Sequence, residues 1–260
     1  MKGIVLAGGN GTRLRPLTTV TSKQLLPVYD KPMILYPINT LIEMGIEDIL
    51  IICKGDQLAN YINLLEDTAP PAINIEFAVQ DEPRGLAEAF IIGEDFIGDD
   101  CVTLILGDNI IVGDEDSFKC AVDCLTRGHF EAAIFTTKVK EPESYGVIKY
   151  DEDGKSHSVV EKPEFFVSND AVIGIYMFDN KAAEIAKSVV PSKRGELEIV
   201  DVINRYMKSP QNENVIVYSL ANTTAWFDCG SVPDLLSCAN YIQAFESRTG
   251  RSIGLNYEQP

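Results

Sequence analysis

The segment Leu6-Ala7-Gly8-Gly9-Asn10-Gly11-Thr12-Arg13-Leu14-Arg15-Pro16-Leu17-Thr18 concentrates groups that can bind phosphate. Three glycines fall within four positions at the end of an apolar run, and basic residues follow. Glycine lets backbone N–H groups turn inward and approach an anion closely. Arg13 can meet phosphate oxygens through two donors at once. Lys23, in Ser22-Lys23-Gln24-Leu25-Leu26-Pro27-Val28, adds a second cation. Two known phosphate loops do not fit. A Walker A loop requires Gly-Lys followed by Ser or Thr, but Thr12-Arg13 follows Gly11. A dinucleotide fingerprint requires another glycine where Arg13 and Leu14 stand. A Rossmann dehydrogenase would also place a ribose-binding acid about 20 residues further on, and Lys31-Pro32-Met33 lies there instead.

Asp108 follows an apolar strand, in Leu106-Gly107-Asp108-Asn109. Asp228 sits in Trp226-Phe227-Asp228-Cys229-Gly230. Magnesium prefers oxygen ligands, keeps several waters, and is typically held by one or two carboxylates plus substrate phosphates. Two such aspartates facing the glycine loop would suit it. The runs Glu94-Asp95, Asp99-Asp100 and Asp114-Glu115-Asp116 read as solvated surface.

These groups need a scaffold, and the hydrophobic pattern supplies one. Lys2–Ala7 reads as a buried strand, Met33–Met44 as a helix, and Asp48–Cys53 as a second strand, apolar as central parallel strands are. A helix over 56–66, a strand Ile73–Val79, a helix Leu86–Phe96 and a strand Cys101–Leu106 follow. This βαβα rhythm predicts an α/β fold with a doubly wound, mostly parallel sheet and ligands beyond the carboxyl ends of its strands. The second half is less regular. Gly146–Tyr150 and His157–Glu161 read as a hairpin across Asp151-Glu152-Asp153-Gly154. Ala171–Phe178 and Val215–Leu220 read as strands, Asn180–Val190 and Glu196–Met207 as helices. Trp226–Gly230 closes a strand, and Ser231–Ser247 is a final helix capped by Ser231. No repeat or linker interrupts the chain, so one domain over 1–260 is expected. Its halves would be about 1–110 for a nucleotide and 111–230 for a sugar phosphate, with 231–260 a C-terminal helix and tail.

Bulk properties restrict the partners. The 260 residues are 45% apolar and carry a formal charge of −17, enough apolar material for a sizeable core. An acidic surface repels nucleic-acid polymers and anionic membranes, while a local cationic pocket still accepts a small phosphorylated substrate. No leader or membrane-length apolar run is evident, so a cytoplasmic location is expected. Six scattered cysteines read as free thiols; Cys120 and Cys124 are four apart on a predicted helix, with no partners to complete a zinc site.

The glycine segment with Lys31-Pro32-Met33 resembles the signature of sugar-phosphate nucleotidyltransferases. The resemblance continues in order through Gln80, Gly85-Leu86-Ala87, Leu106–Asn109, Tyr145-Gly146-Val147, Glu161-Lys162-Pro163, Arg194-Gly195-Glu196-Leu197-Glu198-Ile199 and Trp226–Gly230. It implies a Rossmann-like nucleotidyltransferase fold with a small sugar-binding β lobe. It further implies transfer of a thymidylyl group from dTTP to α-D-glucose 1-phosphate, assisted by Mg²⁺. Asp108 and Asp228 would hold the metal. Arg13, Lys23 and Lys162 would be catalytic. Gly8, Gly9, Gly11, Thr12, Arg13, Lys23, Gln24, Gln80, Gly85 and Asp108 would bind the nucleotide. Asn109, Tyr145, Gly146, Glu161, Lys162 and Val172 would bind the sugar side. Arg194, Glu196 and Glu198 read as a helix-entry network outside the site, and Trp226 as packing beside Asp228. The resemblance is to the short form of the family, expected as a homo-oligomer; it leaves a regulatory nucleotide-sugar site and the tetramer of long members open. Ile173 and Cys229 stand where threonine is common, so another hexose, or UTP in place of dTTP, also remains open. So does a non-catalytic nucleotide-sugar sensor, although Arg13, Lys23 and both aspartates are intact.

Overall fold

The computed structural model describes residues 1–208 and 214–255. The fold is α/β. The chain forms two compact units that alternate along the sequence. The glycine-loop unit comprises Lys2–Pro83, Ile105–Glu115 and the chain from Thr224 onward. The hairpin unit comprises Met1, Arg84–Leu104 and Asp116–Thr223.

In the glycine-loop unit, strands Lys2–Ala7, Asp48–Cys53 and Asn74–Val79 pair in parallel, with Ala7 opposite Cys53 and Cys53 opposite Val79. Lys2–Ala7 and Asp48–Cys53 are buried after their first residues and built mainly on Ile, Val and Leu, as strands covered on both faces demand, whereas Asn74–Val79 is only partly covered. Helix Leu35–Glu43 buries Leu35, Tyr36, Ile38 and Leu41. A second ladder is antiparallel: Asn109–Val112 pairs with Ala225–Asp228, placing Asn109 opposite Asp228. The sequence predicts the second of these strands but not the first. Helix Val232–Thr249 begins at Ser231, whose hydroxyl accepts from the Asp234 amide, and ends at Gly250 in the left-handed region, φ 67°. Val28, Met33, Tyr36, Ile110, Cys229, Cys238 and Ile242 form one apolar cluster under it. The Tyr36 hydroxyl satisfies itself there by donating to the Val28 carbonyl at 2.6 Å.

The hairpin unit has a mixed arrangement. Gly146–Tyr150 and Ser156–Glu161 form the predicted hairpin, with Gly146 opposite Glu161. Asp170–Phe178 runs antiparallel to Ala132–Lys138, which pairs in parallel with Val215–Ser219. The helix expected around Cys120 and Cys124 spans Glu115–Thr126, and the strand Ala132–Lys138 has no counterpart in the sequence pattern. The helix opens with Glu115 and Asp116, which suit the positive end of a helix dipole.

Two helices differ from expectation. Leu86–Phe96 is broken into Glu88–Ile92 and Glu94–Ile97 at Gly93, a residue that weakens helix interiors. Glu196–Met207 starts at Ile199, because the Glu196 carbonyl accepts from the Ser192 amide at 2.9 Å and the Leu197 carbonyl from the Ala87 amide at 3.1 Å, which takes both out of a helix ladder. All six cysteines are free. Among the described residues no helix is long and apolar enough to cross a membrane.

Candidate active site

The glycine turn begins where the parallel strand Lys2–Ala7 stops. Gly11 takes φ 57°, which only glycine adopts without cost, and caps the short helical turn Thr12–Leu14 that carries Arg13. The Thr18 hydroxyl braces the turn by donating to the Gly11 carbonyl at 2.7 Å. A side chain at Gly8 would collide with the Gln80 amide, so Gln80 lies directly against the loop. Gly9 and Thr12 face solvent. Lys54, not singled out in the sequence, donates to the Asn10 side chain.

Lys23 sits on a second helical turn, Lys23–Leu25, and its ammonium pairs with the Asp108 carboxylate. The Cys229 amide donates to the Asp108 carbonyl at 2.9 Å, which ties the segment after Asp228 to Asp108. A Cβ on Gly230 would lie 2.6 Å from Arg13 Nη2 and 3.1 Å from Asp228 Oδ1. Glycine at 230 therefore leaves room for the Arg13 guanidinium beside Asp228. Arg13, Lys23, Asp108 and Asp228 thus come together.

The two carboxylates are electrostatically unlike. Burial pushes the Asp108 carboxyl up, but the Lys23 ammonium and the Asn109 amide outweigh it and hold the group below the usual range. Burial and the neighbouring Asp108 push Asp228 up to about 6, against the opposing pull of Lys23 and Arg13. Asn109 is buried; its amide donates to Asp108 at 3.2 Å and accepts from the Trp226 indole at 2.7 Å. Trp226 is therefore more than packing: it orients the amide that supports Asp108. Asn109 belongs to this unit, whereas the other predicted sugar-side residues belong to the hairpin unit.

A divalent cation fits this donor set. Two neighbouring carboxylates, with Asp228 pushed up by burial and by Asp108, offer hard oxygen ligands whose mutual repulsion a cation would relieve. Among the described residues no group of three or more His, Cys, Asp or Glu is assembled, so substrate oxygens and water would complete the shell.

In the hairpin unit, Lys162 ends the strand Ser156–Glu161 and precedes Pro163. Its φ is 42°, left-handed and uncommon for a side-chain-bearing residue. Its amide donates to the Tyr145 carbonyl at 3.0 Å, which locks Tyr145, Gly146, Glu161 and Lys162 into one frame. Lys162 Nζ lies 3.5 Å from Glu161, which also accepts from Arg194 at 3.4 Å. Arg194 is held by Glu198 through contacts of 2.9 and 3.0 Å. Arg194, expected in a helix-entry network with Glu198, also reaches Glu161. Val172 is buried, opposite Thr136. Gly85 has φ 108°, and a Cβ there would lie 2.5 Å from the Leu197 amide nitrogen. Backbone approach alone requires glycine at that position.

The glycine turn, the paired aspartates and the α/β scaffold define a class. A profile of the nucleotidyl transferase family matches residues 2–244, and the chain belongs to that family. It is 45% identical over 247 residues to the glucose-1-phosphate thymidylyltransferase of Neisseria meningitidis, covering 95% of this chain and 84% of that protein. It is 44% identical over 260 residues to the protein of the same name from Mycobacterium tuberculosis, covering 99% of this chain and 88% of the relative. Among solved structures, a Bacillus anthracis protein assigned to the same activity and bound to sucrose matches at TM-score 0.83 and 35% identity, over 93% of this chain and 94% of that one. A UDP-glucose pyrophosphorylase complexed with UDP-glucose matches at TM-score 0.78 and 26% identity, over 95% and 98%.

Proposed function

We propose that this enzyme transfers a thymidylyl group from dTTP to α-D-glucose 1-phosphate, giving dTDP-glucose and pyrophosphate. The observation that carries the reading is the cluster of Arg13, Lys23, Asp108 and Asp228 beside the glycine turn. The relatives at 44–45% identity supply the choice of substrates.

The reaction is a displacement at the α-phosphorus. An oxygen of the sugar phosphate forms the new P–O bond, and the bond to the bridging oxygen of pyrophosphate breaks. The nucleophile is already ionised, so the chain needs neither a covalent intermediate nor a general base. The barrier is charge repulsion and alignment, which fixed cations and backbone donors lower. Gly8, Gly9, Gly11 and Thr12 would cradle the triphosphate. Arg13 would stabilise charge on the leaving pyrophosphate. Lys23, already beside Asp108, would act on the α-phosphoryl oxygens. Bound Mg²⁺, held by Asp108 and Asp228, would neutralise the nucleotide phosphates.

To the hairpin unit we assign the sugar phosphate. Lys162 would bind its phosphate, and Glu161, Tyr145, Gly146 and Val172 would meet the hexose. The strained backbone at Lys162 favours this role, since such conformations gather where a side chain must be aimed. The buried amide of Gln80, both donor and acceptor, suits the imide edge of a pyrimidine, with buried Gln24 also assigned to the nucleotide. That edge is common to thymine and uracil, which makes uridylyl transfer the second reading. Pyrophosphate release across four nucleotides and several hexose 1-phosphates tests both. Fastest turnover with dTTP and glucose 1-phosphate is expected; a preference for UTP selects the second reading, and no release from any pair removes both.

A further inference from the structure

We propose that Tyr61 and Ser22 are positioning residues which lock the Gln24 amide so that its NH₂ group is presented as a donor to an acceptor oxygen of the nucleotide. This rests on the nucleotide assignment made above for the glycine-loop unit.

Gln24 is buried, 3% exposed, next to Lys23. Its backbone is fixed on both sides: the Ile34 amide donates to its carbonyl at 2.9 Å, and the Leu25 amide donates to the Ser22 carbonyl at 3.1 Å. A Cβ on Gly107 would lie 3.0 Å from Gln24 Cγ, so the side chain lies against the residue preceding Asp108. The Ser22 hydroxyl donates to Gln24 Oε1 at 2.7 Å. The Tyr61 hydroxyl donates to Ser22 Oγ, also at 2.7 Å. The Ser22 amide donates to Gln57 Oε1 at 3.1 Å, which fixes the serine itself.

Counting protons gives this chain one direction. Tyr61 is fully buried, with Ser22 as its hydrogen-bonding partner. If Ser22 donated to Tyr61, the phenol proton would be left in an apolar interior without an acceptor, which is costly. Tyr61 must therefore donate to Ser22. The single serine proton then goes to Gln24, whose oxygen is the atom turned toward Ser22. The oxygen is held inward and the NH₂ group is left for a ligand. An amide free to flip would accept or donate indifferently; this one offers donors only. Neither Tyr61 nor Ser22 need touch the nucleotide.

Removing only the phenol oxygen breaks the relay while the ring keeps filling its site. For Tyr61→Phe the KM for dTTP should rise about five- to tenfold, the scale of one misdirected neutral hydrogen bond. The kcat should change less than about twofold, and the KM for glucose 1-phosphate should stay constant. Ser22→Ala should behave alike, and Ser22→Thr, which keeps a hydroxyl, should restore most of the loss. In a Gln24→Ala background, Tyr61→Phe should add nothing. The same cycle read by calorimetry with dTTP and Mg²⁺ separates two failures. Nucleotide binding without turnover sinks the transferase reading alone. An unchanged KM and affinity in Tyr61→Phe, or a loss that persists in the Gln24→Ala background, overturns the relay alone.

Discussion

The two units hold their lysines, Lys23 and Lys162, in opposite ways. In the glycine-loop unit, Lys23 is largely buried and clamped on Asp108, while Arg13 is exposed, in a space that Gly230 leaves open beside Asp228. In the hairpin unit, Lys162 is 49% exposed and its carboxylate neighbour is shared with Arg194. The first arrangement is preorganised by side-chain pairing, the second by backbone, through the left-handed Lys162 and its bond to Tyr145. A group that must stabilise charge developing at phosphorus gains from rigid pairing. A group that must admit and release a sugar phosphate gains from exposure.

The comparison can be broken where it is strongest. Arg13→Ala should lower kcat by about 10²–10³-fold with little effect on folding, as for loss of one aimed donor. An unchanged kcat in steady-state assays would remove Arg13 from the chemistry. Lys162→Ala should lower kcat/KM for glucose 1-phosphate by about 10²-fold and spare the KM for dTTP; the reverse pattern would exchange the roles of the two units. Gly85→Ala tests the hairpin unit's backbone. Its φ of 108° and its approach to Leu197 should cost about 2–4 kcal/mol in denaturant unfolding. Arg194→Ala, which frees Glu161 from one partner, should lower kcat/KM by about 3–10-fold, because exposed ion pairs are weak.

A further contrast concerns protons and is read in stability, not in turnover. In metal-free protein the Asp228 carboxyl titrates near 6, above its ordinary 3.8. The folded chain then binds this proton more tightly than the unfolded chain. The stabilisation is complete below about pH 4 and is lost as pH rises through about 6, a change of about 3 kcal/mol. Asp108, held below its ordinary value, contributes oppositely, and only under more acid conditions. Thermal unfolding in EDTA should therefore show Asp228→Asn gaining on the wild type at pH 7.5 relative to pH 5. Parallel pH profiles would contradict this.

Much of the glycine-loop unit is legible in sequence because its signals are local. Glycines, basic residues and apolar strands are adjacent along the chain, and parallel strands read as unbroken Ile and Val runs. What could not be read joins distant residues. Trp226 to Asn109, Arg194 to Glu161 and Tyr61 to Ser22 are bonds chosen by the path of the fold. Asn109–Val112 is too short a strand to stand out beside the preceding apolar run, and Ala132–Lys138 has no alternation to mark it. Gly85 carried a functional expectation, while the structure adds a steric reason that no spacing discloses.

The Mg²⁺ dependence of pyrophosphate release, compared between wild type and Asp228→Asn, tests the shared-cation account most directly. The half-saturating Mg²⁺ concentration should rise at least about tenfold in the variant, and kcat should remain depressed at saturation. Superimposable Mg²⁺ curves for the two proteins would show that Asp108 and Asp228 do not share a divalent ion.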